Sequence, residues 1–168
     1  TNEFIEDKLI KKNQLMKNYS FKKLNDADLY NEVANRISKN QVIGWFKGRC
    51  EWGPRALGNR SILADARNPE IKDILNKKIK LRESFRPFAP AVLEEFANIY
   101  FDINYSSPFM LNVVNGKKIA KESVPAVVHV DNTCRVQTVS KSDNYHFYNL
   151  ISEFNKLTGV PIILNTSF

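Results

Sequence analysis

Residues 48–67 read GRCEWGPRALGNRSILADAR and combine a glycine-rich loop with an apolar strand. Three glycines and one proline within residues 48–58 allow tight turns and close backbone approach. Three arginines within residues 48–61 add forked hydrogen-bond donors, which suit phosphate and carboxylate groups. We therefore expect an anion-binding loop over 48–58, with a short helical turn, that leads into a strand over 61–64.

This loop matches neither of two common nucleotide-binding patterns, the P-loop and the dinucleotide-binding fingerprint. It contains no GxxxxGK[ST] and no GxGxxG. A plainer interpretation is a surface turn whose arginines pair with Glu51 and Asp65. The chemistry of the loop alone leaves both interpretations open.

The 168 residues suffice for one domain with a buried core, and their composition excludes several protein classes. Hydrophobic residues make up 43% and charged residues 26%, which excludes a disordered chain, a fibrous repeat and a disulfide scaffold. Lys and Arg number 25 and Asp and Glu 18, so the net charge is +7. Six of the eight arginines lie between Arg49 and Arg86. The basic balance predicts an anionic partner, and the clustering favours an anion site inside the fold.

Hydrophobic periodicity predicts a mixture of helices and strands around this loop. Helices are expected at 26–39, 68–78, 94–100 and 144–157, where Gly159 ends the last one, with a short amphipathic helix within 3–17. Strands are expected at 41–46, 61–64, 91–93, 109–114, 126–130, 135–139 and 161–164. Asp26 is the expected cap of the first helix, and Asn68 with Pro69 should start the second. The mixture predicts an α/β or α+β fold, divided into a helical extension, 1–25, and a domain, 26–168.

Features that the sequence lacks bear on its location. No apolar run of about 18 residues occurs, so we expect no membrane span, and the charged N-terminal segment is not a signal peptide. Cys50 and Cys134 form no CxxC pattern, so we expect two reduced, half-buried thiols, a cytoplasmic protein and no metal site. The chain begins without Met and ends like a strand entering a loop. We therefore interpret it as a fragment of a longer chain, truncated after Phe168.

A second basic stretch, KLRESFRPFAP, covers residues 80–90. Lys80 and Arg82 point the same way if this chain is extended, and the first proline keeps its predecessor extended. Such a segment suits a phosphate or carboxylate ligand. It also suits single-stranded nucleic acid, with Phe85 and Phe88 as stacking platforms. A solvated basic face with two core phenylalanines is the third interpretation.

Two further segments carry candidate polar groups. The spacing within HVDNTCR, residues 129–135, matches no zinc site, so we expect His129 to be a hydrogen-bonded structural group and Arg135 to open a strand. His146 should lie on the surface of its helix. Residues 165–167, Asn-Thr-Ser, follow an apolar strand, and strand ends commonly present ligand groups in an α/β crevice. An ordinary strand-to-turn junction is the alternative.

Together these segments resemble the C-terminal, YrdC-like domain of the O-carbamoyltransferases of nodulation-factor and antibiotic biosynthesis. The similarity covers about residues 26–168, with matching order and spacing. The motifs that carry it are GWF (44–46), GRCEWGPRALGNRSILADAR (48–67), IKLRESFRPFAPAVLEE (79–95), PAVVHVDNTCRVQTV (125–139) and TGVPIILNTSF (158–168). The resemblance implies a twisted, mixed and largely parallel sheet with flanking helices and a basic concave face.

The resemblance also implies an enzymatic activity. Such a domain binds carbamoyl phosphate and ATP and makes carbamoyl-adenylate, releasing phosphate and pyrophosphate. An N-terminal domain of the same chain then transfers the carbamoyl group to a hydroxyl. ATP with its Mg²⁺ is the implied cofactor here, and iron belongs to the N-terminal domain. The expected partners are the two substrates and that domain, without membrane or nucleic acid, and a homodimer stays open.

Seven positions match the family's pocket residues. They are Arg55, Lys80, Arg82, Arg86, Arg135, Asn165 and Ser167. The resemblance implies catalytic roles for Lys80 and Arg86, which would hold the carbamoyl phosphate and the triphosphate. The arginines at 55 and 135 would clamp from facing walls, with 82 as a further contact. Asn165 and Ser167 would bond phosphate oxygens or the carbamoyl amide.

Four positions depart from the family pattern without removing a cation. They are Cys50, Ser84, Asn132 and Cys134. Asn132 predicts a turn that needs a left-handed residue. Ser84 lacks an aromatic ring that would serve the adenine side of the site or the core.

Two other functions are compatible with the sequence. A nucleic-acid-binding YrdC-like module predicts steep salt dependence and exposed aromatic residues on the basic face. A docking fragment without activity of its own predicts an exposed apolar patch.

Overall fold

The computed structural model describes residues 4, 5, 7–9, 11 and 22–168. The described residues between 4 and 11 are helical, as predicted for the segment 3–17. The rest of that helix prediction, and most of the extension assigned to 1–25, lies outside the described residues.

Helix α1 spans Asp26–Ser38 and confirms the amphipathic pattern of that segment. Its cap lies one residue earlier than predicted, because the Asn25 side chain accepts the N–H of Asp28 at 2.9 Å. Val33 and Ile37 of its apolar stripe are buried. This stripe holds α1 against the sheet.

Five strands form the central sheet, in the order β1-β2-β7-β3-β6. Their bounds are Ile43–Phe46 (β1), Arg60–Ala64 (β2), Ala89–Leu93 (β3), Gln137–Val139 (β6) and Ile162–Thr166 (β7). The predicted mixed α/β class is confirmed, but the expectation of a largely parallel sheet is wrong. Only the β3–β6 pair is parallel, and the other three pairs are antiparallel. A loop joins the antiparallel pair β1 and β2, the long connection between β3 and β6 allows their parallel pairing, and β7 runs antiparallel to both of its neighbours, β2 and β3.

One face of the sheet is covered by α1 and by helix α5, Tyr145–Thr158. Asn144 caps α5 by accepting the Phe147 N–H at 3.0 Å, and Gly159 ends the helix at φ +72°, as predicted. The core on this face is apolar, and its larger members include Trp45, Leu63, Leu93, Phe147, Leu150, Ile151, Phe154 and Ile163.

The opposite face is covered by short helical elements. They are α2 (Ile71–Ile74), which continues as a π-helical turn over Leu75–Ile79, a 3₁₀ turn (Glu94–Phe96) leading into α3 (Ala97–Tyr100), α4 (Lys118–Ser123) and a second 3₁₀ turn (Pro125–Val127). Below them lies a second apolar core, whose larger members include Leu75, Phe88, Phe101, Ile162 and Leu164. The helix predicted at 68–78 thus exists, but it starts three residues later and changes from α-helical to π-helical hydrogen bonding at Leu75.

Two of the predicted strands are wrong. In 109–114 only the last residue is in a strand, the two-residue β4 (Val114–Asn115), which pairs with β5 (Thr133–Cys134). The segment 126–130 forms no strand, because Pro125 opens a 3₁₀ turn whose Ala126 N–H donates to the carbonyl of Ala66. Arg135 lies between β5 and β6 rather than opening a strand.

Edge position explains a third difference. The strand predicted as buried over 41–46 is β1 at the edge of the sheet, where Trp45 is buried and Phe46 is exposed. Both cysteines are free, as predicted, but Cys50 is exposed and Cys134 is fully buried. Burial raises the pKa of the Cys134 thiol to about 12, so this thiol is unreactive. No helix among the described residues is long and apolar enough to cross a bilayer.

Candidate anion-binding site

A pocket of about 110 Å³ lies where β7 ends. Its walls come from the glycine-rich loop (residues 48–59), the basic segment (residues 80–86) with the start of β3, the β5–β6 connection and the end of β7. The lining residues are Pro54, Arg55, Ala56, Arg82, Pro87, Phe88, Ala89, Met110, Arg135, Asn165, Thr166 and Ser167.

Three arginines line this pocket without an acidic partner. Within the described part of the chain, Arg55, Arg82 and Arg135 form no ion pair. Burial, and then the charges of Arg55 and Arg82, lower the pKa of Arg135 below its usual range. The buried Nε of Arg135 also has no hydrogen-bond partner. Cations that repel each other around one pocket predict an anionic ligand, since such a ligand removes the repulsion.

Arg82 is held in place by two side chains. Its Nε donates to Asn76 Oδ1 at 2.7 Å, and its guanidinium lies 4.9 Å from the centroid of the Phe88 ring. Burial, and then the charge of Arg86, lower the pKa of Arg82. Asn76 is fully buried and also donates to the carbonyls of Ser84 and Arg86. Our sequence analysis missed Asn76, although an asparagine inside an apolar helical stripe is a detectable signal.

Glu51 folds the glycine-rich loop. Its Oε1 accepts the N–H groups of Leu57 and Asn59 at 2.8 Å and of Arg60 at 3.2 Å. Partial burial alone would raise the pKa of Glu51, but these N–H groups lower it. The alternative in which loop arginines pair with Glu51 and Asp65 is therefore wrong, because Asp65 pairs with Arg67 at 2.6 Å. The predicted helical turn within 48–58 does not form.

Gly58 seats the loop on the sheet and on α5. Its φ is +100°, and a Cβ at this position would lie 2.2 Å from Cδ1 of Phe147. The carbonyl of Gly58 accepts the indole N–H of Trp45 at 2.8 Å. Only glycine meets both the backbone and the space requirement here.

Two buried amides tie the same loop to the sheet. Asn165 Nδ2 donates to the carbonyl of Ala56 at 3.0 Å and to Gln137 Oε1 at 2.8 Å. Gln137 Nε2 donates to the carbonyl of Leu57 at 3.0 Å. Asn165 Oδ1 is buried and has no partner. Sequence reasoning selected Asn165 but missed Gln137, a lone amide in the buried strand β6.

The structure brings five of the seven predicted site residues to the pocket wall. They are Arg55, Arg82, Arg135, Asn165 and Ser167. Lys80 lies beside the pocket, where its Nζ donates to the carbonyl of Ser167 at 2.5 Å. Burial, and then the charge of Arg82, lower the pKa of Lys80. Arg86 does not line the pocket, because its exposed side chain bonds Glu83 Oε2 at 2.9 Å.

The remaining candidate residues have structural contacts. His129 Nδ1 lies 3.1 Å from Thr133 Oγ1, as expected for a hydrogen-bonded structural histidine. His146 is partly exposed at the surface of its helix, as predicted, and its Nδ1 lies 2.6 Å from the hydroxyl of Tyr30. The turn predicted at Asn132 is confirmed by its φ of +67°.

The two aromatic rings of the basic stretch differ in exposure. Phe85 is exposed, whereas Phe88 is buried beneath Arg82. A continuous stacking surface for single-stranded nucleic acid therefore does not form from this pair. In the part of the chain that is described, no three His, Cys, Asp or Glu residues group as they would around a metal ion.

Comparison with known proteins identifies relatives over most of the chain. The family described as Carbamoyltransferase C-terminus matches residues 34–168. Nodulation protein NolNO of Sinorhizobium fredii is 51% identical over 144 residues, which cover 84% of this chain and 21% of that protein. Nodulation protein NolO of Bradyrhizobium diazoefficiens is 47% identical over 144 residues, 84% of this chain and 26% of that protein. An uncharacterised Synechocystis protein is 42% identical over 163 residues, 85% of this chain and 26% of that protein. The chain thus spans about a quarter of the length of these relatives.

Proposed function

This chain belongs to the carbamoyltransferase C-terminus family, and on that premise we propose that it is the carbamoyl-activating domain of an O-carbamoyltransferase. In this proposal the domain binds carbamoyl phosphate and ATP and forms carbamoyl-adenylate. A further domain of the full-length enzyme then transfers the carbamoyl group to a hydroxyl. The matched family supports the carbamoyl chemistry, and the pocket supports the activation step.

The observation that carries the proposal is the convergence of three unpaired arginines on one pocket. Arg55, Arg82 and Arg135 come from three separate segments, and among the described residues no carboxylate forms an ion pair with any of them. A doubly charged phosphate is the ligand type that guanidinium groups bind best. The pocket volume, about 110 Å³, suits a molecule of the size of carbamoyl phosphate. ATP would extend beyond it, because ligands of that size occupy pockets of about 300 Å³ or more.

The proposed reaction needs water as a third reactant. Water cleaves carbamoyl phosphate to carbamate and phosphate, and a carbamate oxygen attacks the α-phosphorus of ATP. The bond from that phosphorus to the bridging oxygen breaks, and pyrophosphate leaves with its electron pair. Negative charge develops on phosphate oxygens in both steps, and fixed cations stabilise such charge.

In the proposal, the arginines and Lys80 share the binding of the two substrates. Arg55 and Arg135 hold the phosphate of carbamoyl phosphate, and Arg82 faces the triphosphate. Lys80 exchanges its contact with the Ser167 carbonyl for a phosphate oxygen. Arg86 leaves Glu83 to join the triphosphate, which costs little because exposed ion pairs are weak. None of the described residues that line the pocket carries a carboxylate, so Mg²⁺ would enter with the nucleotide and would need few protein ligands.

The proposal assigns the acceptor hydroxyl to the part of the enzyme that lies outside this chain. Trp52 and Phe85 are exposed on two of the segments that form the pocket, the glycine-rich loop and the basic segment. We propose that these rings contact the transferring domain, since an exposed tryptophan is a common anchor of protein interfaces.

The test is release of pyrophosphate from ATP by the full-length protein, with and without carbamoyl phosphate. We expect release that depends on carbamoyl phosphate and a loss of about 10–100-fold in kcat/KM for Arg135→Met, the effect of one charge-assisted hydrogen bond. The matched control is Arg36→Met, which removes an exposed arginine of α1 that pairs with Glu32. No release by the folded protein, or equal loss in both variants, would overturn the proposal. Tight, strongly salt-dependent binding of single-stranded RNA instead would favour the nucleic-acid module.

A further inference from the structure

The two buried amides beside the pocket, those of Asn165 and Gln137, can be oriented in only one way if their hydrogen bonds are to form. The carbonyls of Ala56 and Leu57 can only accept hydrogen bonds. Gln137 must therefore turn its Nε2 to Leu57, at 3.0 Å, and its Oε1 to Asn165. Asn165 in turn uses both hydrogens of Nδ2, one for that Oε1 at 2.8 Å and one for Ala56 at 3.0 Å.

This arrangement leaves one acceptor of a pocket-lining residue unused. Asn165 is 1% exposed, and its Oδ1 is buried without a partner among the described residues. Buried polar atoms of native proteins are nearly always paired, so an unpaired one needs an explanation. Rotating the amide would not remove it, because Nδ2 would then lose both of its acceptors.

Small side chains in the neighbouring strand make room for the amide pair. Ala89 of β3 lies opposite Asn165, and Ala91 lies opposite Gln137. Because alanine side chains are short, the side chains of Asn165 and Gln137 can reach each other over β3. Their hydrogen bonds then continue to the loop carbonyls of Ala56 and Leu57. The sheet thus positions Asn165 through Gln137.

The unpaired Oδ1 of Asn165 differs in kind from the three arginines that line the pocket. Arg55, Arg82 and Arg135 offer donors, which suit phosphate oxygens. An amide oxygen repels a phosphate oxygen and attracts an N–H group. Carbamoyl phosphate has one donor group, the amide, and it lies next to the phosphate. Only one orientation of carbamoyl phosphate places its phosphate at the arginines and its amide at Asn165 Oδ1.

We propose that Gln137 is a positioning residue that locks Asn165 so that Oδ1 accepts a hydrogen bond from the carbamoyl amide. The pocket then selects carbamoyl phosphate against acyl phosphates that carry a carbon in place of the nitrogen. This inference rests on the proposed function and specifies how the same site chooses its substrate.

Acetyl phosphate is the probe, because a methyl group replaces the amide while the phosphate is unchanged. We measure pyrophosphate release from ATP by the full-length protein with each phosphate and compare kcat/KM. The wild type should prefer carbamoyl phosphate by about 100-fold or more, since a site built for a donor rejects an analogue without it. In Gln137→Met the preference should fall about tenfold or more, because the amide of Asn165 can then turn.

Two further variants separate positioning from general damage. Thr138→Val is the matched control: Thr138 is the next residue of β6, is equally buried, and bonds the N–H of Ser107 rather than the amide chain. Its preference should equal that of the wild type. Gln137→Glu keeps an oxygen that accepts a hydrogen bond from Asn165 Nδ2. Its preference for carbamoyl phosphate over acetyl phosphate should therefore fall less than that of Gln137→Met.

The outcomes distinguish this inference from the proposed function. If the wild type releases no pyrophosphate with carbamoyl phosphate, the proposed function fails and this inference fails with it. If the wild type is active but uses acetyl phosphate equally well, the inference alone is overturned. The same holds if Gln137→Met lowers both activities by one common factor, since that is the result of a purely structural role.

Discussion

The glycine-rich loop and the basic segment are both rich in arginine, but they are held in opposite ways. The loop is fixed by Glu51 within it and by Trp45, Gln137 and Asn165 of the sheet. The basic segment depends mainly on one side chain, Asn76, which bonds Arg82 and two carbonyls.

The fate of the arginines follows from this difference. In the loop, the carboxylate of Glu51 accepts backbone N–H groups, so Arg55 has no acidic partner and lines the pocket. The basic segment keeps Glu83 at its surface, and Arg86 pairs with it instead of lining the pocket. An arginine becomes part of an anion site when the local acid is already used or when a buried side chain directs it, as Asn76 directs Arg82.

The largest effect should come from Gly58→Ala, which disrupts the packing of the glycine-rich loop against α5. The new Cβ would clash with Phe147 and meet an unfavourable φ, so we expect a loss of about 3 kcal/mol in the free energy of unfolding. Urea unfolding measures it. Gly48→Ala is the control: its φ is also positive, at +78°, but nothing lies within 4 Å of the new Cβ. This control should lose only about 1 kcal/mol, and equal losses would disprove the packing argument.

Asn76→Ala tests the single anchor of the basic segment. It leaves two carbonyls and the Nε of Arg82 without their partner, so we expect a loss of about 2 kcal/mol in the free energy of unfolding. Binding of carbamoyl phosphate should weaken as well, because Arg82 is no longer directed to the pocket. Asn149→Ala removes an exposed bond to the Tyr145 carbonyl and should change neither quantity measurably. Unchanged binding in Asn76→Ala would show that Arg82 needs no anchor.

Glu51→Gln tests the anchor inside the loop and should cost about 1 kcal/mol at neutral pH, since a charged acceptor becomes neutral. In the folded protein the pKa of Glu51 lies below its ordinary value of 4.5. Its ionised form therefore stabilises the fold above pH 4.5, and this contribution is lost as the pH falls through the lower folded-state value. Unfolding curves of both proteins should converge in acid. A difference that persists below that range would show that Glu51 acts through packing instead.

The smallest effect should come from Glu83→Gln, which releases Arg86. We expect carbamoyl phosphate to bind about two to three times more tightly, because an exposed pair no longer competes for Arg86. Calorimetric titration of the full-length protein measures it. In an Arg86→Ala background the same change should have less effect. An equal gain in both backgrounds would mean that Arg86 does not turn toward the ligand.

Sequence reasoning predicted which residues lie around the pocket better than it predicted the neighbouring strands. Arg55, Arg135 and Asn165 line the pocket, and they were selected because guanidinium and amide groups near turns or strand ends indicate ligand chemistry whatever the topology. Their roles in binding stay predictions. The strand predicted at 126–130 failed because apolar residues alone do not distinguish a strand from a buried 3₁₀ turn. The Glu83 partner of Arg86 and the role of Gln137 depend on contacts that residue types do not reveal.

The most direct test of this account is whether both segments contribute to one ligand site. Calorimetric titration of the full-length protein with carbamoyl phosphate compares the wild type with Arg55→Met from the loop and Arg82→Met from the basic segment. We expect one site per chain and about tenfold or greater weakening of carbamoyl phosphate binding in each variant. Wild-type affinity in either variant would contradict it, because that segment would then not contact the ligand.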